Sequence, residues 1–382
     1  METPPIKTTK LFTKFFESEK AGGIVLVIVT VLSLAFANSS FQSHYISFWH
    51  QTIGSHSLVD WINDGLMAIF FLLIGLELER EIYIGELSNI KNAALPLFGA
   101  FGGMIVPAGI YLLFNYGTAT QSGAGIPMAT DIAFAVGILS LLGNRVPTSL
   151  KVFLTALAVI DDLGAILVIA IFYTKSISFF HLGIALSVWI LLLIFNRLKV
   201  RNLIPYLVGG VVMWYFMMQT GIHATITGVL VAFAIPFGNG DEKSTSYILQ
   251  EFLHSPVAFF ILPLFALANT CINFGTNLLE GLGHANSIGI ILGLVLGKPL
   301  GIWLLSFIAA GLGLCSLPND LQWKNIIGAG FLGGIGFTMS IFITLLAFED
   351  QHIIDHSKIA ILVASLVAGS IGFFFLKYSL KK

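Results

Sequence analysis

The chain has 382 residues, 56% of them hydrophobic and only 10% charged, where soluble domains carry about a quarter charged residues. That composition excludes an ordinary soluble enzyme and predicts an integral membrane protein. A formal net charge of −1 leaves no basic surface for nucleic acid, and two cysteines supply no disulfide framework.

The N-terminal stretch carries Lys7, Lys10, Lys14 and Lys20 ahead of an apolar run from Ala21 to Ala37. Ala35-Phe-Ala37 resembles a signal-peptidase site, so a cleaved leader is one reading. The length of the run and the many spans behind it favour a retained first helix. We read residues 1–20 as a cytoplasmic arm, 21–378 as one transmembrane domain and 379–382 as a cytoplasmic tail.

A span needs about 20 apolar residues. About twelve are predicted, near 21–37, 58–84, 93–115, 121–143, 149–173, 179–198, 203–218, 222–236, 247–269, 286–310, 325–348 and 356–378. The runs 203–218 and 222–236 are the weakest. Loops near 38–57 and 270–286 are too short for a soluble module, and Cys271 and Cys315 fall in successive loops, so they lie on opposite sides. With the N-terminus inside, sixteen of the nineteen Lys and Arg residues face the cytoplasm. Only Lys175 and Lys358 fall outside, and Lys298 lies within a span. An even span count puts both termini in the cytoplasm.

Several spans contain ionisable residues, which lipid does not tolerate unless they face a partner or a watery cavity. Asp64 sits in WINDGLMAIFFLLIGLELERE and Asp131 in GIPMATDIAFAVGILS. Asp161 and Asp162 are adjacent in the middle of SLKVFLTALAVIDDLGAILVIAIFYT, and Lys298 lies in ILGLVLGKPLGIWLLSF. One carboxylate at the bilayer centre costs about 2.5–3.5 kcal/mol on insertion scales, so an adjacent pair marks a place where a cation or protons bind. A lone buried charge such as Asp64 also has a purely structural reading, as half of a satisfied pair.

Two segments look broken. Gly123, Gly125 and Pro127 precede Thr130-Asp131, and five glycines punctuate the run from Gly328 to Gly336. Interrupted helices in two halves of a chain point to a transporter binding site, because unwound backbone leaves helix ends facing each other. Asp131 would neutralise positive ends and Lys298 negative ends. The four-residue stripe Gly289, Gly293, Gly297 and Gly301 is read as a packing surface.

Three motif matches fail on context. Gly328-Ala-Gly330-Phe-Leu-Gly333 fits a dinucleotide fingerprint, but no strand precedes it. Gly293 to Lys298 is one residue short of a phosphate loop. Gly238-Asn-Gly240-Asp241 spells a protease motif but lies in a polar loop.

Seven segments together resemble the NhaA sodium/proton antiporters of bacterial inner membranes. They are WINDGLMAIFFLLIGLELERE, PMATDIAFAVGILSLLG, ALAVIDDLGAILVIAIFYT, GIHATITGVLVAFAIP, FILPLFALAN, GLVLGKPLGI and FLGGIGFTMSIFI. They run in order from about Lys20 to the C-terminus. The resemblance implies an all-α fold of about twelve helices, with inverted repeats and two crossed discontinuous helices. It implies Na⁺ or Li⁺ bound at Asp162 with Asp161, Thr130 and Asp131 beside it, and Lys298 paired with Asp161 in the cation-free form. It also implies a homodimer held partly by an outer β-hairpin near 41–58, and alkaline activation through Glu77, Arg80, Glu81 and His254. Gln250 stands where relatives carry a glutamate, with Glu251 beside it, and His223 matches a family position. No cofactor is implied.

The expected mechanism is competition of protons and Na⁺ or Li⁺ for one carboxylate cluster, giving electrogenic exchange if the site opens to one side at a time. Hard oxygen ligands suit these ions. Three other readings are an organic-anion/Na⁺ symporter of similar fold, an intramembrane aspartyl hydrolase using Asp131 and Asp161, and a passive channel.

Overall fold

The computed structural model describes residues 10–174, 177–273 and 281–380. Lys7, Lys175, Lys381 and Lys382, and the middle of the 270–286 loop, lie outside the described residues. The architecture is all-α and membrane-spanning, and the one sheet among the described residues is a two-stranded ribbon.

In chain order, α1 is Lys10–Ala37, α2 Gln42–Trp49 and α3 the continuous run Leu58–Tyr83, which includes a π-helical turn. Next come α4, Ile90–Asn115, a 3₁₀ segment, Gln121–Met128, and α5, Ile132–Ser140. They are followed by α6, Thr148–Phe172, α7, Phe179–Arg197, α8, Ile204–Met217, and α9, Ile226–Ala232. The last are α10, Thr245–Asn269, α11, Ala285–Gly311, α12, Trp323–Gly333, α13, Phe337–Ala347, and α14, Gln351–Ser379.

Nine runs among the described residues are long and apolar enough to cross a membrane, and the pair α12–α13, bent by 51°, makes a tenth. Helices α8 and α9 fall short of a full span by length, at 14 and 7 residues. They coincide with the two weakest runs in the sequence.

Helix α6 forms the centre: 72% of its apolar window is buried, against 11% for the peripheral α7. Pro147, extended at its start, ends the preceding turn and presets entry into the helix. The glycine stripe of α11 packs on α4. A Cβ on Gly301 would lie 2.1 Å from the Gly102 carbonyl oxygen, and one on Gly102 would lie 1.9 Å from that of Gly301. Two backbones in such contact exclude any side chain. Gly301→Ala is therefore expected to destabilise the protein by about 1–3 kcal/mol, the usual cost of overpacking. A lowered thermal midpoint in detergent checks it, and an unchanged midpoint counts against this contact.

The stretch near 41–58 is not one hairpin. Gln42–Trp49 is helical because Tyr45 and Trp49, one turn apart, share a face and meet edge to face with ring centroids 6.0 Å apart. The Tyr45 hydroxyl lies 3.0 Å from both Ser33 Oγ and the Leu267 carbonyl, tying α2 to α1 and α10. Burial pushes that phenol up to about 12, so it stays a neutral donor. Strand pairing is confined to Thr52–Ile53 and His56–Ser57, joined through Gly54 at φ +70°.

Candidate functional site

The site lies where the two broken segments meet. The 3₁₀ run ends at Met128 and α5 begins at Ile132, so Ala129-Thr130-Asp131 is unwound. Helix α12 ends at Gly333 and α13 begins at Phe337. The Asp131 amide donates to the Ile335 carbonyl at 2.7 Å, stitching one break to the other.

Each break exposes helix ends, and side chains answer them. Asp131 serves two N-termini. It accepts from the Phe134 amide of α5 at 3.0 Å and from the Thr338 amide of α13 at 3.0 Å, and the Thr338 hydroxyl donates to it as well. Facing N-termini carry partial positive charge, so one buried carboxylate stabilises both. At the negative ends, the Lys298 ammonium donates to the Met128 carbonyl, and the Thr130 hydroxyl, whose one proton is shared with Asp161, lies 2.9 Å from the Gly333 carbonyl. Loss of both caps in Asp131→Ala is expected to cost about 1–2 kcal/mol per helix start. The check is a thermal midpoint well below that of wild type, and equal midpoints would contradict the double-cap role.

Asp161 sits at the centre of α6, 1% exposed. Its Oδ2 accepts from Lys298 Nζ at 2.7 Å and from Thr130 Oγ1 at 2.7 Å. Its Oδ1 is buried with no hydrogen-bond partner among the described residues. Lys298 itself is 0% exposed. A buried ion pair survives only with close geometry and added hydrogen bonds, and this one has both. Asp162 is equally buried and projects about 100° further round the same helix. The described site thus brings together Asp161, Thr130 and Lys298, with Asp162 adjoining and Asp131 one residue from Thr130 but engaged with helix ends.

Three π-helical turns adjoin predicted residues. Trp61–Leu66 contains Asp64, Val257–Ile261 comes after His254, and Gly293–Gly297 immediately precedes Lys298. A π-turn rotates the part of the helix beyond it, and such turns recur at functional sites.

Asp64 lies apart from the carboxylate pair. Its Oδ1 is 3.4 Å from His223 Nε2, and its backbone carbonyl accepts from Trp214 Nε1 at 3.0 Å. Beside it, Asn63 Oδ1 accepts from Asn269 Nδ2 at 2.7 Å, joining α3 to α10. At the other end of α3, Glu77 Oε1 is 3.5 Å from His254 Nδ1. Arg80 donates to the Gly240 carbonyl at 3.3 Å and lies 5.1 Å over the Tyr247 ring, which ties it to the loop before α10 and to α10 itself. Glu81 is half-buried on the same end. Gln250 is buried and Glu251 exposed, so it is the amide that faces inward.

Thr338 and the carbonyls of Met128 and Gly333 were not legible as site atoms. Backbone oxygens carry no sequence signal, and a threonine after a glycine-rich break reads as packing. Glu79, 4% exposed, gives no signal of its own because it lies within a charged helix end.

The family model described as Na⁺/H⁺ antiporter 1 matches residues 13–376. The chain belongs to that family. It is 68% identical over 375 residues to a protein of Flavobacterium johnsoniae named Na(+)/H(+) antiporter NhaA 1, covering 98% of each chain. It is 68% identical over 376 residues to the Na(+)/H(+) antiporter NhaA of Flavobacterium psychrophilum, again covering 98% of each. The corresponding protein of Cytophaga hutchinsonii is 62% identical over 377 residues, covering 99% of this chain and 97% of its own. The chain is therefore a multi-pass membrane protein of the Na⁺/H⁺ antiporter 1 family, whose relatives are named as transporters rather than enzymes. Both Asp131 oxygens are engaged with α5 and α13, and Asp161 is engaged with Lys298.

Proposed function

We propose that the protein exports Na⁺, and Li⁺, from a bacterial cell in exchange for protons, by alternating access in the inner membrane. The reading rests on family membership and on one observation above others. A fully buried lysine is paired with one of two adjacent buried aspartates, at the junction of two broken helices.

The chemistry follows from that arrangement. In the structure the Lys298 ammonium and the Thr130 hydroxyl occupy Asp161 Oδ2. An entering Na⁺ takes oxygens of Asp162 and Asp161, with the Thr130 hydroxyl available as a neutral ligand. It competes with the ammonium for Asp161 and with protons for both carboxylates. Two adjacent carboxylates and one lysine titrate as a unit, so Na⁺ binding and proton binding exclude each other. When the cluster faces one side at a time, that exclusion becomes exchange. Unequal charge in the two half-cycles makes the exchange electrogenic.

The remaining assignments are part of the same reading. Asp64 with His223 lies on the outer approach. Glu77, Arg80, Glu81 and His254, with Gln250 and Glu251, form the alkaline-activation region at the cytoplasmic end. Both termini are cytoplasmic, and a homodimer forms through the outer region from α2 to the Thr52–Ser57 ribbon. The twelve-helix, inverted-repeat architecture counts α8, α9 and the pair α12–α13 as spans.

The test is proton movement in inverted vesicles from a host lacking its own antiporters. Collapse of an imposed pH gradient on adding Na⁺ or Li⁺, and not K⁺, is expected between pH 6 and 9, strongest at the alkaline end. No cation-dependent collapse at any pH, with folded protein in the membrane, would overturn the proposal.

A further inference from the structure

Thr155 lies on α6 two turns before the carboxylate pair, and the exchange chemistry above makes no use of it. It is 6% exposed, and its hydroxyl is buried with no hydrogen-bond partner among the described residues. That is unusual inside a helix, where a hydroxyl has a ready acceptor four residues back. Elsewhere in this chain Thr30, Thr174, Thr270, Thr344, Ser187 and Ser357 each take that carbonyl, at 2.6–2.8 Å. Thr155, in the interior of a long helix, leaves it untaken.

Thr155 and Asp162 are seven residues apart, so they share one face of α6 and stand about 10 Å apart along the axis. The opposite face is occupied: Phe153 and Leu157 pack against Gly99 of α4. Ala158, between Thr155 and Asp162 on the shared face, packs on Ile132 and Val136 of the half-helix α5. Thr155 therefore borders the seam between α6 and α5. It lies on the side of Asp162 toward the end of the bundle where Glu77 and His254 meet.

We infer that Thr155 is an ion-path ligand. Its hydroxyl oxygen replaces a water in the shell of a Na⁺ or Li⁺ ion passing between the Glu77–His254 end and Asp162. The inference rests on the reading of Asp162 as the ion ligand. A buried oxygen without a protein partner is costly to keep, and coordination of a passing cation supplies the missing interaction.

Thr155→Val keeps the shape and removes the oxygen, and Thr155→Ser keeps the oxygen. In inverted vesicles, Thr155→Val is expected to raise the apparent KM for Na⁺ and Li⁺ roughly tenfold, a factor worth about 1.4 kcal/mol, with Thr155→Ser close to wild type. Its thermal midpoint is expected to be unchanged or higher, since an apolar isostere suits a hydroxyl that bonds to nothing among the described residues. An unchanged KM in Thr155→Val would overturn the inference. So would an equal rise measured from the outer face in right-side-out vesicles, because the residue would then act through the shared carboxylates. If Asp162→Asn still exchanges Na⁺ at the wild-type rate, it is the ion-ligand reading that fails, and the two failures are distinct.

Discussion

Asp162→Asn is expected to abolish Na⁺- and Li⁺-dependent proton movement at every pH while leaving a folded protein. The amide keeps the volume and one oxygen but removes the charge that balances a desolvated cation. An unbalanced cation in a low-dielectric site costs far more than any single hydrogen bond returns. Asp161→Asn is expected to be milder. Its Oδ2 is already held by Lys298 and Thr130 at 2.7 Å each, so it contributes as a shared, exchangeable ligand. A KM raised roughly tenfold to a hundredfold, with exchange still measurable, is the predicted outcome. Gradient collapse and radiolabelled Na⁺ uptake, compared for the two variants at equal expression, decide the matter. Full activity in Asp162→Asn beside a dead Asp161→Asn would transfer the principal ligand to Asp161.

Removing the lysine has the largest expected effect on stability. Lys298→Met leaves Asp161 as a buried carboxylate without its counter-charge, and breaking one half of a buried pair costs about 3–5 kcal/mol. The Met128 carbonyl also loses its donor at the end of the 3₁₀ segment. The double variant Lys298→Met/Asp161→Asn is expected to recover most of that loss, because no unpaired charge remains. Na⁺ should raise the thermal midpoint of Lys298→Met more than that of wild type, since the ion then fills the place of the ammonium. Thermal unfolding in detergent, with and without Na⁺, measures all three. Equal midpoints for wild type and Lys298→Met would mean that the pair does not hold the broken helices together.

Much of the architecture was legible because lipid imposes simple rules. Apolar runs of about 20 residues, and ionisable residues inside them, are visible without any tertiary information. The breaks at Thr130-Asp131 and at Gly333–Gly336 were legible from glycine and proline spacing. The weak runs were weak for a physical reason. Helices α8 and α9 are only 14 and 7 residues long. The outer hairpin expected near 41–58 was implied by the resemblance alone; strand pairing is confined to Thr52–Ser57, and a helix with the Tyr45–Trp49 contact precedes it.

The sequence by itself determined that this chain lives in a membrane, that its apolar spans hold an adjacent aspartate pair and a lysine, and that two helices are interrupted. Those properties follow from transfer energies and backbone preferences, which act residue by residue. Only the tertiary structure decided which charge meets which helix end. Asp131 caps both α5 and the distant α13, while Asp161 rather than Asp162 takes Lys298 and Thr130. Adjacent aspartates are equivalent in composition and hydropathy. They differ only in azimuth, and the packing of α6 against α4, α5 and α12 selects one azimuth for the ammonium. The same packing leaves the Thr155 hydroxyl without a partner among the described residues, on the face it shares with Asp162.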